Sequence, residues 1–585
     1  MDVFQQNFEI REIPLVVKSC KQRVEEFLAK NDLRLDEVDY YAGVFLVGDS
    51  DILLGGGGLK GNIIKCVAIE DELRQTGMGA KLISHLYLTA INRGETNVKV
   101  FTKPQNKDIF TSLAFKILAT SDKAILLENG DGLKKYCNYL NSFKKEGENG
   151  CIVMNANPFT LGHRYLVEKA ACQVNNLYII VVKEDKSAFP YKERLQMIKD
   201  GTKDISNVVV CQGSDYQISE ATFPTYFLKE LNSASQTQIS LDLDLFVKHI
   251  APSLNIKKRF VGTEPSDALT NQYNVLMSKL LPSNNIEFVE LQRKENEKGV
   301  ISASKLRKQL ENFDFPNASK MASPYSIPSL LSFLATYSIN MELNTTPKPG
   351  LVDKKDSGAH NDMDYNLMNR SIKALHPYFY KLSYLAYNEE NLSVKDIQAI
   401  GLEAEKNMFA ITCGVNTYKG ALFSMGLVLV SATLVYKQHK FIDKTNLQNQ
   451  IKSLSIEFSQ PHNTHGKKVL EENNIKGALA SAMEGYVLLF EKWLPFVENN
   501  GFDNESLIKL LFLIMSDLDD TNIYYRKGKH VALQVKQRAR EILNKFSLSE
   551  VEKLNKEFIK ENISPGGAAD MLSLTLFIHS ILRKN

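Results

Sequence analysis

The chain has 585 residues, 44% hydrophobic and 24% charged, and 71 Lys and Arg against 68 Asp and Glu leave a formal net charge of +3. So small a balance excludes the broad basic footprint of a nucleic-acid binder, and no stretch approaching 18 uninterrupted apolar residues argues for a membrane span. The first fourteen residues, MDVFQQNFEIREIP, carry acids and no apolar h-region, so no secretory signal is expected there. Seven scattered cysteines without a C-x-x-C pair argue against a zinc site or a disulfide framework, and a reducing cytoplasm is the expected compartment.

A chain this long needs about two to four hydrophobic cores. No internal repeat of solenoid period is present. Polar or Pro/Ser/Asn-rich stretches at 141–150 and 312–328 mark two boundaries, and KKEGE and RKENEK read as solvated loops or linkers. The coarse order is α+β, then α/β with a parallel sheet, then all-α.

In the first unit, NIIKCVAI (62–69) is the last strand of an antiparallel meander and RQTGMG (74–79) opens a helix. The Arg74-x-x-Gly77-x-Gly79 spacing resembles the pyrophosphate loop of the Gcn5-related N-acetyltransferase family, and NKDIFTSLAF (106–115) resembles that family's closing helix. The resemblance implies an acetyltransferase-like domain over 1–145, with Arg74, Gly77 and Gly79 around the pyrophosphate of a CoA-like thiol held by helix N-terminal amides. No residue stands out as a general base, so binding rather than catalysis is expected.

The next unit begins GCIVMNANPFTLGHRYLVEKAACQVNNLYIIVVKED (150–185), a strand, loop, helix and strand. CIVMN and LYIIVV are short, β-branched and apolar, as buried parallel strands are, and ligands bind beyond the carboxyl ends of such strands. Thr160, Gly162 and His163 fall there: Gly162 lets a backbone approach a ligand and His163 opens the helix toward phosphate, whereas a plain threonine cap is the simpler alternative. The pattern resembles the (H/T)-x-G-H signature of the nucleotidyltransferase superfamily. GVISASKLRKQL (299–310) resembles its I-S-x-S-x-x-R motif, which places Ser302, Ser304 and Arg307 on the phosphate tail of ATP.

With FPYKERLQMI (189–198) and RFVGTEPSDALTNQYN (259–274), the stretch NANPFTLGHRYL is similar to the citrate lyase ligase family, over roughly 1–325. The resemblance implies that a domain at 146–325 activates acetate with ATP to acetyl-adenylate, releasing pyrophosphate. The acetyl group then passes to the thiol of a CoA-derived prosthetic group on the acyl-carrier subunit of citrate lyase. It places Thr160 and His163 at the transferring phosphoryl group and Asn155, Asn157, Gly162, Arg194, Gly262 and Glu264 around the nucleotide, with Mg2+ bridging the phosphates.

After residue 326 long helical patterns dominate, interrupted by acidic, Gly-rich patches. TPKPGLVD, GAHNDMD, GVNTYKGA, THG, DTN and GGAADML resemble the triphosphoribosyl-dephospho-CoA synthase family, over roughly 330–585. That family takes ATP and 3′-dephospho-CoA to 2′-(5″-triphosphoribosyl)-3′-dephospho-CoA, releasing adenine. A magnesium–triphosphate site within a helical bundle needs carboxylates with cations nearby. The candidates are Asp353, Asp362 and Asp520 for catalysis, with His360 and Asn522 beside them, and Asp362, Asp364, Glu403, Asp519 and Asp520 for Mg2+. Lys348, Lys419 and Arg526 are the expected triphosphate contacts. The residues do not rank the carboxylates.

Both halves point to one pathway, citrate lyase activation. Two other readings stay open on the residues: an adenylyltransferase acting on a pantetheine phosphate in the first half, or a non-catalytic carrier-docking module.

Overall fold

A computed structural model describes residues 7–48, 52–184, 187–217, 223, 234–264, 268–297, 299–458 and 477–582. Packing divides the chain into two compact units, 1–157 with 162–300, and 158–161 with 301–585.

The first unit holds two sheets. Strands β1 (Phe8–Glu12), β2 (Tyr40–Leu46), β3 (Gly55–Lys60), β4 (Ile63–Ile69), β5 (Val98–Thr102), β6 (Lys116–Thr120) and β7 (Ile125–Asn129) form a mixed sheet in the order β1-β2-β3-β4-β5-β7-β6. The first four make the expected antiparallel meander. β4 and β5 run parallel and pair only through Ile63–Lys99 and Ile64–Val100. The chain leaving β4 reaches the helix Met78–Asn92 through Gly77, whose φ of +82° is left-handed backbone that glycine adopts without a Cβ penalty. Leu82, Ile83, Leu86 and Ala90 of that helix are buried in a core shared with Val98 and Leu127.

The second sheet is parallel throughout. β8 (Asn149–Met154), β9 (Asn176–Val181), β10 (Val208–Gln212), β11 (Ile256–Gly262) and β12 (Glu287–Leu291) lie in the order β10-β9-β8-β11-β12. Every residue of β9 is buried, which is why its sequence is a continuous apolar run rather than an alternation. Strand order reverses between β8 and β11, the place where ligands bind in such sheets.

The stretch 141–150 is only partly a linker. Lys144 to Glu148 are exposed, as expected, but Asn149 is fully buried and donates to Lys145 O (2.9 Å) and Leu254 O (2.7 Å). One apolar core, including Leu126, Tyr136, Leu140, Cys151 and Ile180, runs from the first sheet into the second.

The second unit is helical. The helices Ile327–Asn344, Lys419–His439 and Gly566–Leu582 are buried over most of their length, so their sequences lack a polar face. Among the described residues, Lys419–His439 alone has the length and apolarity of a membrane span. Of that window, 72% is buried inside the protein, as befits the central helix of a bundle.

The boundary read at 312–328 is not a loose connector. Asp314 caps the short helix Phe315–Ser319 by accepting from Asn317 N (3.2 Å), and Phe313, Phe315, Ser326 and Ile327 are buried. Pro, Ser and Asn mark turns and caps, and these are packed ones. Residues 158–161 join this unit: Thr160 bridges Ala322 in antiparallel fashion, Leu161 N donates to Met321 O (2.9 Å), and Ser326 Oγ donates to Phe159 O (2.6 Å).

Candidate active sites

In the first unit, the chain leaving β8 turns through Ala156, a buried non-glycine residue with φ of +47°. Such backbone costs about 1–3 kcal/mol and persists where the surroundings impose it. Those surroundings are visible. Asn155 Nδ2 donates to Glu184 Oε2 (3.3 Å) and Ser187 Oγ (3.2 Å), and Asn157 Oδ1 accepts from Phe189 N (3.0 Å).

Arg194, expected on phosphate, is fully buried. Its guanidinium donates to Phe189 O (3.0 Å), Asn155 O (2.7 Å), Val182 O (2.9 Å) and Glu184 O (2.9 Å). This corrects the nucleotide-contact assignment of Arg194, whereas Asn155 and Asn157 stay partly exposed. Carbonyls at the strand ends need donors, and the Arg194 guanidinium supplies them.

Gly162 and His163 are the second and third residues of the helix Leu161–Ala171. Burial, with the nearby Arg293 charge, pushes the His163 imidazole down to about 4, so it is neutral at pH 7. Arg293 follows β12 and pairs with the Glu264 carboxylate, which is only 7% exposed. Glu264 is therefore committed to an ion pair rather than offered to adenosine, and Gly262, at the end of β11, accepts from Asn274 Nδ2 (3.1 Å). Sequence reading missed Arg293 because it opens RKENEK, a run with the composition of a solvated loop; its spacing past a strand end was the signal available. Of the 259–274 motif, Pro265 to Asp267 lie outside the described residues.

The remaining residues of this motif set belong to the second unit. Ser302 caps the helix Ala303–Glu311, accepting from Lys305 N (3.2 Å), with Ser304 Oγ 3.2 Å away. Ser304 is exposed, and Arg307 lies one turn further along, on the same side of the helix. Desolvation lowers Arg307 from its ordinary value, yet it stays charged. Thr160 is 1% exposed and its main chain is fixed by the bridge to Ala322, so it acts as an anchor of the turn rather than an open phosphate contact. On the N-terminal sheet Arg74 pairs with Asp71 (2.8 Å) at the surface, while Gly77 and Gly79 lie at the head of their helix.

The helical unit contains a cavity of about 370 Å³. Asp362, Asp519, Asp520, Lys419 and Arg526 line it, joined by His360 and Asn522, from three separate stretches of sequence. His360 Nε2 lies 2.8 Å from Ser564 Oγ and its Nδ1 3.7 Å from Asp362. Lys419 pairs with Glu405 (2.6 Å) at the start of its helix. Asp519 pairs with Lys536 (2.6 Å). Asp520 caps the helix Thr521–Asn544, accepting from Asn522 N and Ala568 N (both 2.9 Å), and burial pushes its carboxyl up to about 6.

Four expected residues are elsewhere. Asp353, 2% exposed, accepts from Lys348 N (2.9 Å), Lys355 N (2.7 Å) and Asp356 N (3.2 Å), so it holds the loop in shape. Lys348 is buried against Glu342 and is not a free triphosphate contact. Asp364 caps the helix Tyr365–Asn388 through Leu367 N (2.7 Å). Glu403 pairs with Lys381 (2.8 Å) on an exposed face, both side chains 54% exposed. Conversely, Glu342 lines the cavity although it was not singled out, and so does Asp570, the aspartate on the Gly-rich helix start of GGAADML. Glu342 sits inside an apolar helical run, where an acid attracts no notice. The THG motif, 464–466, lies outside the described residues.

Among the described residues no three His, Cys, Asp or Glu side chains group as a ready metal cage. A Mg2+ bridging substrate phosphates needs only one or two carboxylates. Asp362 and Asp519 reach the cavity and fit that demand; Asp364 and Glu403 do not, and both Asp520 oxygens accept main-chain amides.

A parallel sheet with a T-x-G-H turn, followed by a bundle whose cavity sets carboxylates beside cations, defines an enzyme with two nucleotide-using centres. Residues 149–326 match the citrate lyase ligase C-terminal domain and residues 328–585 match ATP:dephospho-CoA triphosphoribosyl transferase. The chain is 39% identical over 321 residues to a protein of Klebsiella pneumoniae named "[Citrate [pro-3S]-lyase] ligase", covering 54% of this chain and 93% of that one. It is 34% identical over 282 residues to a Streptococcus mutans protein named "Probable 2-(5''-triphosphoribosyl)-3'-dephosphocoenzyme-A synthase", covering 42% and 94%. A solved pantoate-beta-alanine ligase from Francisella tularensis is 16% identical, with a TM-score of 0.23, over 34% of this chain and 77% of that one. The chain belongs to the citrate lyase ligase family in its first part and to the triphosphoribosyl-dephospho-CoA synthase family in its second. It is an enzyme of both activities, acting in citrate lyase activation.

Proposed function

We propose that the first part forms acetyl-adenylate from acetate and ATP, releases pyrophosphate, and acetylates the prosthetic-group thiol on the acyl-carrier subunit of citrate lyase. An acetate oxygen attacks the α-phosphorus and charge builds on the phosphoryl and pyrophosphate oxygens, so catalysis is positioning and electrostatic stabilisation. A neutral His163 serves this as a hydrogen-bond donor to the phosphoryl oxygen. Ser302, Ser304 and Arg307 supply two hydroxyls and a cation suited to a phosphate tail, and buried Thr160 fixes the turn just before His163. The mixed sheet, read as acetyltransferase-like, holds a CoA-type group at the Gly77 and Gly79 helix start, with Arg74 beside it.

In the second part the 2′-hydroxyl of 3′-dephospho-CoA attacks C1′ of the ATP ribose and adenine departs. Lys419 and Arg526 take the triphosphate. Asp362 and Asp519 would hold Mg2+, which neutralises phosphate charge when bound. The functional division runs 1–145, 146–325 and 326–585, in line with family matches over 149–326 and 328–585, and the compartment is cytoplasmic.

The observation that carries this reading is the helical cavity, which gathers five of the expected side chains from distant sequence. The test uses one purified chain in two assays: adenine release from ATP with 3′-dephospho-CoA, and acetate-dependent reactivation of deacetylated citrate lyase. Both should proceed. Turnover with phosphopantetheine in place of acetate would replace the first reading with the pantetheine one.

A further inference from the structure

We propose that Asp570 is the general acid that protonates the departing adenine in the helical cavity. This rests on the reading of that cavity as the triphosphoribosyl-transfer site.

Five carboxylates border the cavity; Asp362 is 61% exposed and Asp519 is paired with Lys536, which leaves Glu342, Asp520 and Asp570. Each meets a different fate. Glu342 is paired with Lys348, a cation that is itself 1% exposed. Asp520 accepts main-chain amides on both oxygens, from Asn522 and Ala568. Asp570 lies across the first turn of the helix Lys419–His439: a Cβ added at Gly420 would stand 2.1 Å from Asp570 Oδ2, and the Ala421 amide donates to its carboxylate. Among the described residues that amide is its one donor, so most of its lone pairs remain uncommitted.

Among the described residues Asp570 has no cation paired with it, and a carboxylate set beside other acids without one favours its protonated form. The proton settles on the least stabilised of them. The groups facing Asp570 favour this: Glu342 and Asp520 contribute negative charge, while Tyr418 and Tyr486 are neutral phenols, the first held well above its ordinary value and the second raised to about 12, both by burial. Burial first, then the Glu342 and Asp520 charges, raises Asp570 well above the carboxylate range. A carboxylic acid kept neutral beside an ionised partner is the arrangement that glycosidic cleavage uses to protonate a leaving group.

The step balances. The C1′–N bond to adenine breaks and its electron pair leaves on the base, which takes the Asp570 proton. The bond from the 2′-oxygen to C1′ forms, and the hydroxyl proton is released to water, from which Asp570 recovers its own. The sum moves one proton from hydroxyl to adenine.

The structural alternative is that Asp570 merely caps the helix at Ala421. Asp570→Asn separates the two, because its amide oxygen still accepts from Ala421 but the group holds no acidic proton. We expect kcat for adenine release to fall about 10²–10⁴-fold, with KM for ATP and 3′-dephospho-CoA little changed. The alkaline fall of the wild-type pH–rate profile should vanish, and acetate-dependent pyrophosphate exchange in the same chain should stay normal. Release within threefold of wild type, with the alkaline limb retained, would overturn the assignment. If the Asn variant loses both activities, Gly420→Ala replaces it, since its methyl group displaces the carboxylate; a full release rate there overturns the assignment too. A wild-type chain that releases no adenine would remove the reading of the cavity along with this one.

Discussion

Two loops, one in each unit, are shaped by a single buried charge of opposite sign. In the first, Arg194 donates to four carbonyls around 155 and 182–189. In the second, Asp353 accepts three amides around 348–356. Strand ends leave carbonyls to satisfy, so a cation serves; a tight Pro- and Gly-rich loop turns its amides inward, so an anion serves. Each lies in a motif that suggests ligand contact. Burial decides otherwise: the charged residues left to touch substrate, such as Lys419, Arg526 and Asp362, are those that line an open cavity.

The comparison breaks most visibly if the two buried charges are removed. Arg194→Ala or Asp353→Ala leaves several main-chain groups unsatisfied, and each should destabilise its own unit by about 3–5 kcal/mol. Calorimetry checks this; a melting temperature close to wild type in either variant would make that residue a ligand contact after all. Arg526→Ala is the counterpart: it should leave the melting temperature nearly unchanged while raising KM for ATP in adenine release.

Gly350 sharpens the same point. It has φ of +72°, and a Cβ there would stand 2.1 Å from the carbonyl oxygen of Ile563. Gly350→Ala should therefore cost about 1–3 kcal/mol, read as a shift of the denaturant midpoint. An unchanged midpoint would mean that the loop has room the packing denies.

A smaller effect is expected from pH. The folded pKa of His163, about 4, lies below the ordinary value of 6.5. The unfolded chain thus binds the proton more readily, so this contribution is intact above about pH 6.5 and is lost as pH falls toward 4. Melting temperatures of wild type and His163→Gln should converge across that window. A constant gap would show an ordinary imidazole. The smallest effect belongs to Glu403→Gln, which breaks an exposed pair worth at most about 0.5 kcal/mol and should leave adenine release alone.

Much of this was legible in the residues. The apolar runs 151–155 and 177–182 announced parallel strands because burial on both faces removes alternation, and the T-x-G-H turn followed at the strand end where such sheets bind ligands. The cavity's Asp362, Asp519, Asp520, Lys419 and Arg526 were found as clusters of charge beside turns. What stayed hidden depends on contacts distant in sequence. Arg293 meets Glu264 from a run that looks solvated, and Glu342 sits in an apolar helix. Asp364 and Ser302 are helix caps, indistinguishable by type from ligands. The 312–328 segment has the composition of a linker, yet Phe313 and Phe315 are buried, a property composition does not encode.

The central claim is that one chain carries two independent centres, the first organised around His163. Its most direct test is His163→Ala in a paired assay, acetate-dependent pyrophosphate–ATP exchange and adenine release, on one preparation. The account predicts that exchange falls by about 10²–10³-fold, the usual loss for one preorganised donor, while adenine release stays within twofold of wild type. Exchange that persists at the wild-type rate would contradict it.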